Sequence, residues 1–240
     1  MKAKIAFALF TTLTIFVTRA QDGNIDANNS ANVDQLTRLS GGQFANAGLT
    51  GQASFFNPKF DREGSIYLFD GWDQAAFIYP KGTDQFVREN SMNFNIQRSM
   101  FETKVAGDSI VSYNFVSIDR IVVGGRVFKS FFLEELQRDK AFEIVYQGSD
   151  FTILKGYTVD VLEASPNPMI ARPRDKYIQR TTYYLETEET LKEFKLKKKS
   201  ILAALTDEQA ERAKEYSKKY DMSFTNEAEL KKILNYASRK

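Results

Sequence analysis

The chain contains neither histidine nor cysteine. Without imidazole there is no Ser-His-Asp triad, no histidine general base and no haem-type axial imidazole. Without a thiol there is no cysteine nucleophile, disulfide, thiolate-held zinc or thiol redox chemistry. The sequence also lacks GxGxxG, Walker A, GxSxG and S-x-x-K patterns. The last of these absences removes the best-known serine–lysine route for a hydrolase that has no histidine. Any catalysis falls to Asp, Glu, Tyr, Lys, Ser or Thr.

What is present suffices for a sizeable core. Of 240 residues, 42% are hydrophobic, which argues against global disorder. The first twenty residues read as a secretory signal peptide. Lys2 and Lys4 form the positive start, Ile5 to Val17 the apolar run, and Thr18-Arg19-Ala20 the cleavage site before Gln21. The run is shorter than the roughly 20 residues of a transmembrane helix. Localisation is therefore expected to be periplasmic or secreted, with no transmembrane helix after cleavage. Removing residues 1–20 turns the formal net charge from +2 to −1, so nucleic acid loses its simplest support as a partner. Charge is also uneven. Residues 191–240 carry 13 basic and 8 acidic side chains, against 17 and 23 in residues 21–190.

Residues 21–57 are polar and rich in Asn and Gly, and are expected to be a flexible lead-in. From there to residue 196 short apolar runs alternate with turn residues. Ser65–Phe69 and Ala75–Tyr79 flank Asp70-Gly71-Trp72-Asp73 and are expected to form a hairpin. Further strands are expected at Met92–Gln97, Met100–Val105 and Ser109–Phe115. The last shows the period of two of a half-buried strand, through Val111, Tyr113 and Phe115. Gly124-Gly125 between Ile121–Val123 and Arg126–Phe128 is the clearest hairpin turn. Ala141–Tyr146, Phe151–Leu154, Tyr157–Leu162 and Lys176–Glu186 complete about ten strands. There is no room for parallel crossovers. The expected fold is mainly β, α+β by content: an antiparallel meander in residues 58–196 closing as a sandwich or barrel-like sheet, followed by helices in 197–240.

The helices have start signals. Thr206 with Gln209 matches a capping box, and Asn226 with Glu229 a second cap. Leu230, Ile233, Leu234 and Ala237 then recur at helical spacing.

Four kinds of site are compatible with this composition. Asp70 and Asp73 beside Trp72 are the candidate ligand-binding residues, because two acids near an aromatic platform suit a sugar ring. Asp and Gly in that loop are also ordinary turn chemistry. The same loop, or Asp61-Arg62-Glu63-Gly64, offers oxygens to calcium but lacks EF-hand spacing, so no metal ligand and no cofactor is assigned. Lys195-Leu196-Lys197-Lys198-Lys199 is a basic stretch able to meet anionic lipid, nucleic acid or polysaccharide, although Leu191, Phe194 and Leu196 favour a strand or helix entry with solvated lysines, and export makes nucleic acid a poor partner. Finally, 20 Phe and 11 Tyr can line an apolar cavity or fill a β core.

Gly64-Ser65-Ile66-Tyr67-Leu68-Phe69, Asn167-Pro168-Met169 and Phe194 to Leu202 together resemble a group of secreted proteins without an assigned activity from Bacteroidetes-type Gram-negative bacteria. The resemblance covers roughly residues 64–238 and carries over no catalytic residue. It implies that the short sequon Asp108-Ser109-Ile110 is a candidate O-glycosylation site. Taken together, the sequence is expected to encode a non-enzymatic secreted or periplasmic protein that binds an envelope component, a partner protein or an apolar ligand. The alternative is a carboxylate-dependent glycan hydrolase.

Overall fold

The computed structural model describes residues 51–55, 62–106, 109–165, 174–188 and 190–239. The expected signal peptide, most of the expected lead-in, Asp61, Asp108 and residues 166–173 with Pro166, Pro168 and Pro173 lie outside them. The described residues form one antiparallel sheet of eleven strands and three C-terminal helices. In chain order the strands are β1 (Gly51–Phe55), β2 (Gln74–Pro80), β3 (Val87–Asn95), β4 (Met100–Ala106), β5 (Ser109–Tyr113), β6 (Ile118–Val123), β7 (Arg126–Leu133), β8 (Arg138–Gln147), β9 (Thr152–Leu162), β10 (Lys176–Glu186) and β11 (Leu191–Phe194). The helices are α1 (Lys198–Ala203), α2 (Asp207–Lys219) and α3 (Glu227–Ala237).

The order across the sheet is β1-β5-β4-β3-β2-β6-β7-β8-β9-β10-β11. The chain therefore passes from β5 over three strands to reach β6. On a flat sheet that step is about 19 Å, at roughly 4.8 Å per strand. The link from Tyr113 to Ile118 reaches at most about 17 Å when extended. The sheet must curl, and its aromatic side chains show it. Phe128 on β7 lies 5.7 Å from Phe94 on β3 and 5.0 Å from Phe101 on β4, ring centre to ring centre. These rings join Ile78, Met92, Ile121 and Val123 in a core enclosed by the sheet itself.

A strap of residues 62–69 ties the two ends of this curl together. Glu63 pairs with Lys176 on β10, and Tyr67 pairs with Asn95 on β3. The Leu68 amide donates to the Phe94 carbonyl (3.0 Å), and the Ile96 amide to the Ile66 carbonyl (2.9 Å). The hairpin expected between Ser65–Phe69 and Ala75–Tyr79 is therefore not formed. β2 takes β3 and β6 as neighbours instead, and the backbone of residues 65–69 bonds both to the β3 end and to Gln179 on β10.

Two further expectations change. The end of the expected lead-in, Gly51–Phe55, is strand β1, paired with β5. Phe151–Leu154 and Tyr157–Leu162 are one strand, β9, running through Gly156. That glycine is not a break. A Cβ there would lie 3.0 Å from the Tyr184 ring and 3.1 Å from the Phe142 ring, so its absence lets the two rings meet over the strand. At the β6–β7 turn the positive φ of Gly124 and Gly125, 56° and 76°, is what a tight primed turn requires.

The second core lies where the other half of the sheet meets the helices. Val145, Tyr146 and Ile153 pack against Ile201, Ala213, Leu230, Ile233, Leu234 and Ala237. Both expected caps form. Thr206 and Gln209 make the reciprocal capping box of α2, and Asn226 accepts from the amides of Ala228 and Glu229. No helix among the described residues is long and apolar enough to cross a membrane.

Candidate functional site

Asp70, Trp72 and Asp73 fall together in the turn that ends the strap. The turn is held from beneath by Asn93, which is buried on β3. Its amide donates to the carbonyls of Phe69 (2.8 Å) and Gly71 (2.9 Å), and its oxygen accepts from the Phe69 amide (3.1 Å). Trp72 meets the Tyr67 ring edge-on at 4.8 Å. Tyr67 in turn donates to Glu102, which is fully buried and also accepts from Asn95 and Arg98. Asp70 and Asp73 are exposed. In this chain of contacts the tryptophan packs down onto the strap.

Two cavities lie elsewhere and meet at Asp119. The first, about 230 Å³, is lined by Phe115, Ile118, Phe131 and Ile144 among apolar residues, and by Lys81, Asp119, Lys129, Gln147, Thr152 and Glu186 among polar ones. The second, about 370 Å³ and more open, is lined by Pro80, Gly82, Thr83, Asp84, Asp119 and Arg120. Asp119 sits near the start of β6 at a register shift: Arg120 pairs with Tyr79 and Ile118 with Pro80 on β2, and Asp119 lies between the two pairs. It accepts from Arg120 at 2.8 Å and faces Lys129 at 3.4 Å. Partial burial would push its carboxyl up, but the two cations outweigh it and hold Asp119 below the usual carboxylate range.

Arg120, which lines the second cavity, also joins it to an aromatic cluster. The Arg120 guanidinium lies 3.9 Å above the Tyr79 ring. Phe86 contacts Phe77 edge-on at 5.2 Å and Tyr79 at 5.7 Å, yet remains 53% exposed. Phe77 and Tyr79 are the outward members of β2, alternating with the buried Ala76 and Ile78. Charged acceptors and donors beside exposed ring faces suit a ligand with hydroxyls on its edges and apolar faces. The sequence reading missed this groove. Its one trace is the pair Asp119-Arg120 opening a strand, which periodicity alone assigns to a solvated face.

A third cluster sits on the enclosed face of the sheet, between the two cores. Ile153, Lys155 and Tyr157 alternate along β9 and share that face. Tyr157 donates to Glu143, and Arg126 donates to both. Lys155 donates to Glu227 in the first turn of α3 (2.7 Å), which also accepts from Tyr183. Burial and the hydrogen bond to Glu143 raise the Tyr157 hydroxyl well above its ordinary range. Each carboxylate is thus matched by one cation and one phenol, an arrangement that fastens α3 to the sheet.

Among the described residues no group of three or more acids is placed to hold a metal ion. Neither cavity is lined by Asp70, Trp72 or Asp73. Arg62, from the other calcium candidate, pairs with Asp175 at 3.3 Å. Comparison with protein-family models, with curated proteins and with solved structures finds no match to this chain.

Proposed function

We propose that the protein is an exported, non-enzymatic binding protein of the cell envelope, and that the groove centred on Asp119 takes a glycan-bearing envelope component. The observation that carries this reading is the junction of two cavities at one charged residue, with the Tyr79–Phe86 cluster joined to it through Arg120. Ring faces of sugars stack on such a cluster, and their hydroxyls bond to Asp84, Asp119, Arg120 and Lys129. The hydrolase alternative has one supporting feature, the carboxylates Glu143 and Glu227. Both are already neutralised by their own cations and phenols, which favours the binding reading.

Native mass spectrometry of the protein purified from its host's envelope fraction tests it. The expected result is the mass of residues 21–240 plus that of a bound glycan, with the excess mass lost in Phe86→Ala and Arg120→Ala. A bare chain whose amide resonances around Asp119 do not respond to envelope glycans would sink the proposal. Cleavage of such glycans that stops in Glu143→Gln would establish the hydrolase instead.

A further inference from the structure

The stretch from β11 into α1 places five lysines, Lys192, Lys195, Lys197, Lys198 and Lys199, at one edge of the molecule. All five are exposed. Phe194, Leu196 and Leu202 pack on the helix-covered core, and Ile201 is fully buried in it. Lys192 shares the face of Phe194 on β11 and is nonetheless exposed, and the other four lysines lie between and beside the packed side chains with their own side chains exposed. β11 is the last strand of the sheet, so no further strand covers its far side.

Among the described residues none of the five pairs with a carboxylate. Glu193 is the one acid within the stretch 191–199, and Glu186, Glu188 and Glu189 are the acids just before it in the sequence. The Lys198 ammonium lies 5.6 Å over the Phe224 ring, which leaves its charge uncompensated. Five ammoniums within eight consecutive residues repel one another. Their mutual repulsion is relieved by an anionic partner. An array of exposed ammoniums along the edge of the sheet complements an extended surface of negative charge.

We infer that this edge docks the protein on an anionic lipid bilayer. The docking is electrostatic and reversible, and it is separate from the groove at Asp119. Each lysine contributes about fivefold to partitioning onto such a surface.

Co-sedimentation of the full chain with vesicles tests this. In 50 mM NaCl the protein should pellet with phosphatidylcholine vesicles containing phosphatidylglycerol, and remain in solution with phosphatidylcholine alone. Raising the salt to 500 mM should release it. The quadruple variant Lys195→Gln, Lys197→Gln, Lys198→Gln and Lys199→Gln should weaken partitioning several hundredfold. The matched variant Lys218→Gln, Lys219→Gln, Lys231→Gln and Lys232→Gln, with the same charge change on α2 and α3, should keep most of it. Circular dichroism checks that both fold. The inference is overturned if the wild type ignores phosphatidylglycerol at low salt, if it binds neutral vesicles equally, or if both variants lose binding alike. It is also overturned if heparin or DNA is bound more tightly than the vesicles, which would make the edge a general polyanion site.

Discussion

The two cores of this protein bury similar residue types by different means. The curled half closes the sheet over its own aromatics, so Phe128 on β7 meets Phe94 and Phe101, a cross-strand pair on β3 and β4, neither of which neighbours β7. The other half covers the sheet with helices, whose apolar stripe repeats within a single element. One core depends on contacts distant in sequence and on a strap, whereas the other depends on local periodicity and caps. β8 and β9 contribute to both, through Ala141 and Tyr157 on one side and Val145 and Ile153 on the other.

The sharpest way to break this comparison is to truncate one ring. Phe128→Ala removes the side chain that touches Phe94 and Phe101, and should cost about 3–5 kcal/mol. Leu234→Ala, its counterpart under the helices, should cost about 2–5 kcal/mol. Because β8 and β9 are shared, both variants should still unfold in one transition by chemical denaturation. Two separate transitions would mean that the halves are independent units joined by two strands.

A smaller effect is expected at the strap. Asn93→Ala leaves the Phe69 and Gly71 carbonyls and the Phe69 amide without their partner, at about 2–3 kcal/mol. Trp72 is the single tryptophan and lies in this turn, so its fluorescence reports the strap alone. In the variant its emission should shift toward that of exposed indole at denaturant concentrations where circular dichroism is still native. Coincident transitions would show that the strap is not a separately weakened element.

Gly156→Ala probes the outer face shared by both halves. The added methyl meets the rings of Phe142 and Tyr184, and should cost about 1–3 kcal/mol unless the rings move apart. Thermal unfolding of this variant beside Tyr184→Ala with Gly156→Ala separates crowding from strand propensity. If crowding is the cause, the second change partly offsets the first.

The same division explains what the sequence made legible. Thr206, Gln209 and Asn226 announce the helix starts because capping is satisfied within three residues. Gly124-Gly125 announces its hairpin for the same reason. The strap could not be read. Ser65–Phe69 is a short apolar run such as a strand would carry, but its partners are set by Asn93 and by Gln179, more than a hundred residues away, which donates to the Ser65 and Tyr67 carbonyls. Gly156 misled in the other direction, because a glycine that makes room for rings looks like one that makes a turn. The groove at Asp119 was least visible. Its walls come from β2, β6, β7, β8, β9 and β10, which neighbour one another in the sheet but contribute residues spread from Pro80 to Glu186 along the chain.

The smallest effect concerns the contact that joins α3 to the strip between the cores. Burial alone would raise the Glu227 carboxyl, but the Lys155 ammonium and the Tyr183 hydroxyl outweigh it and hold it below the usual range. A carboxylate with a depressed folded-state pKa stabilises the protein fully above its unfolded value of about 4.3. That contribution is lost as the pH falls through the lower folded value. Stability should therefore be flat from neutrality to about pH 5 and decline below pH 4. Because the pair is partly exposed, its share should be about 1 kcal/mol or less. Glu227→Gln keeps the size of the side chain and removes its charge, so this variant should lose that much at pH 7 and show a shallower decline in acid. If its acid slope equals that of the wild type, the ion pair does not fasten α3, and the helix-covered half is held by Leu230, Ile233 and Leu234 alone.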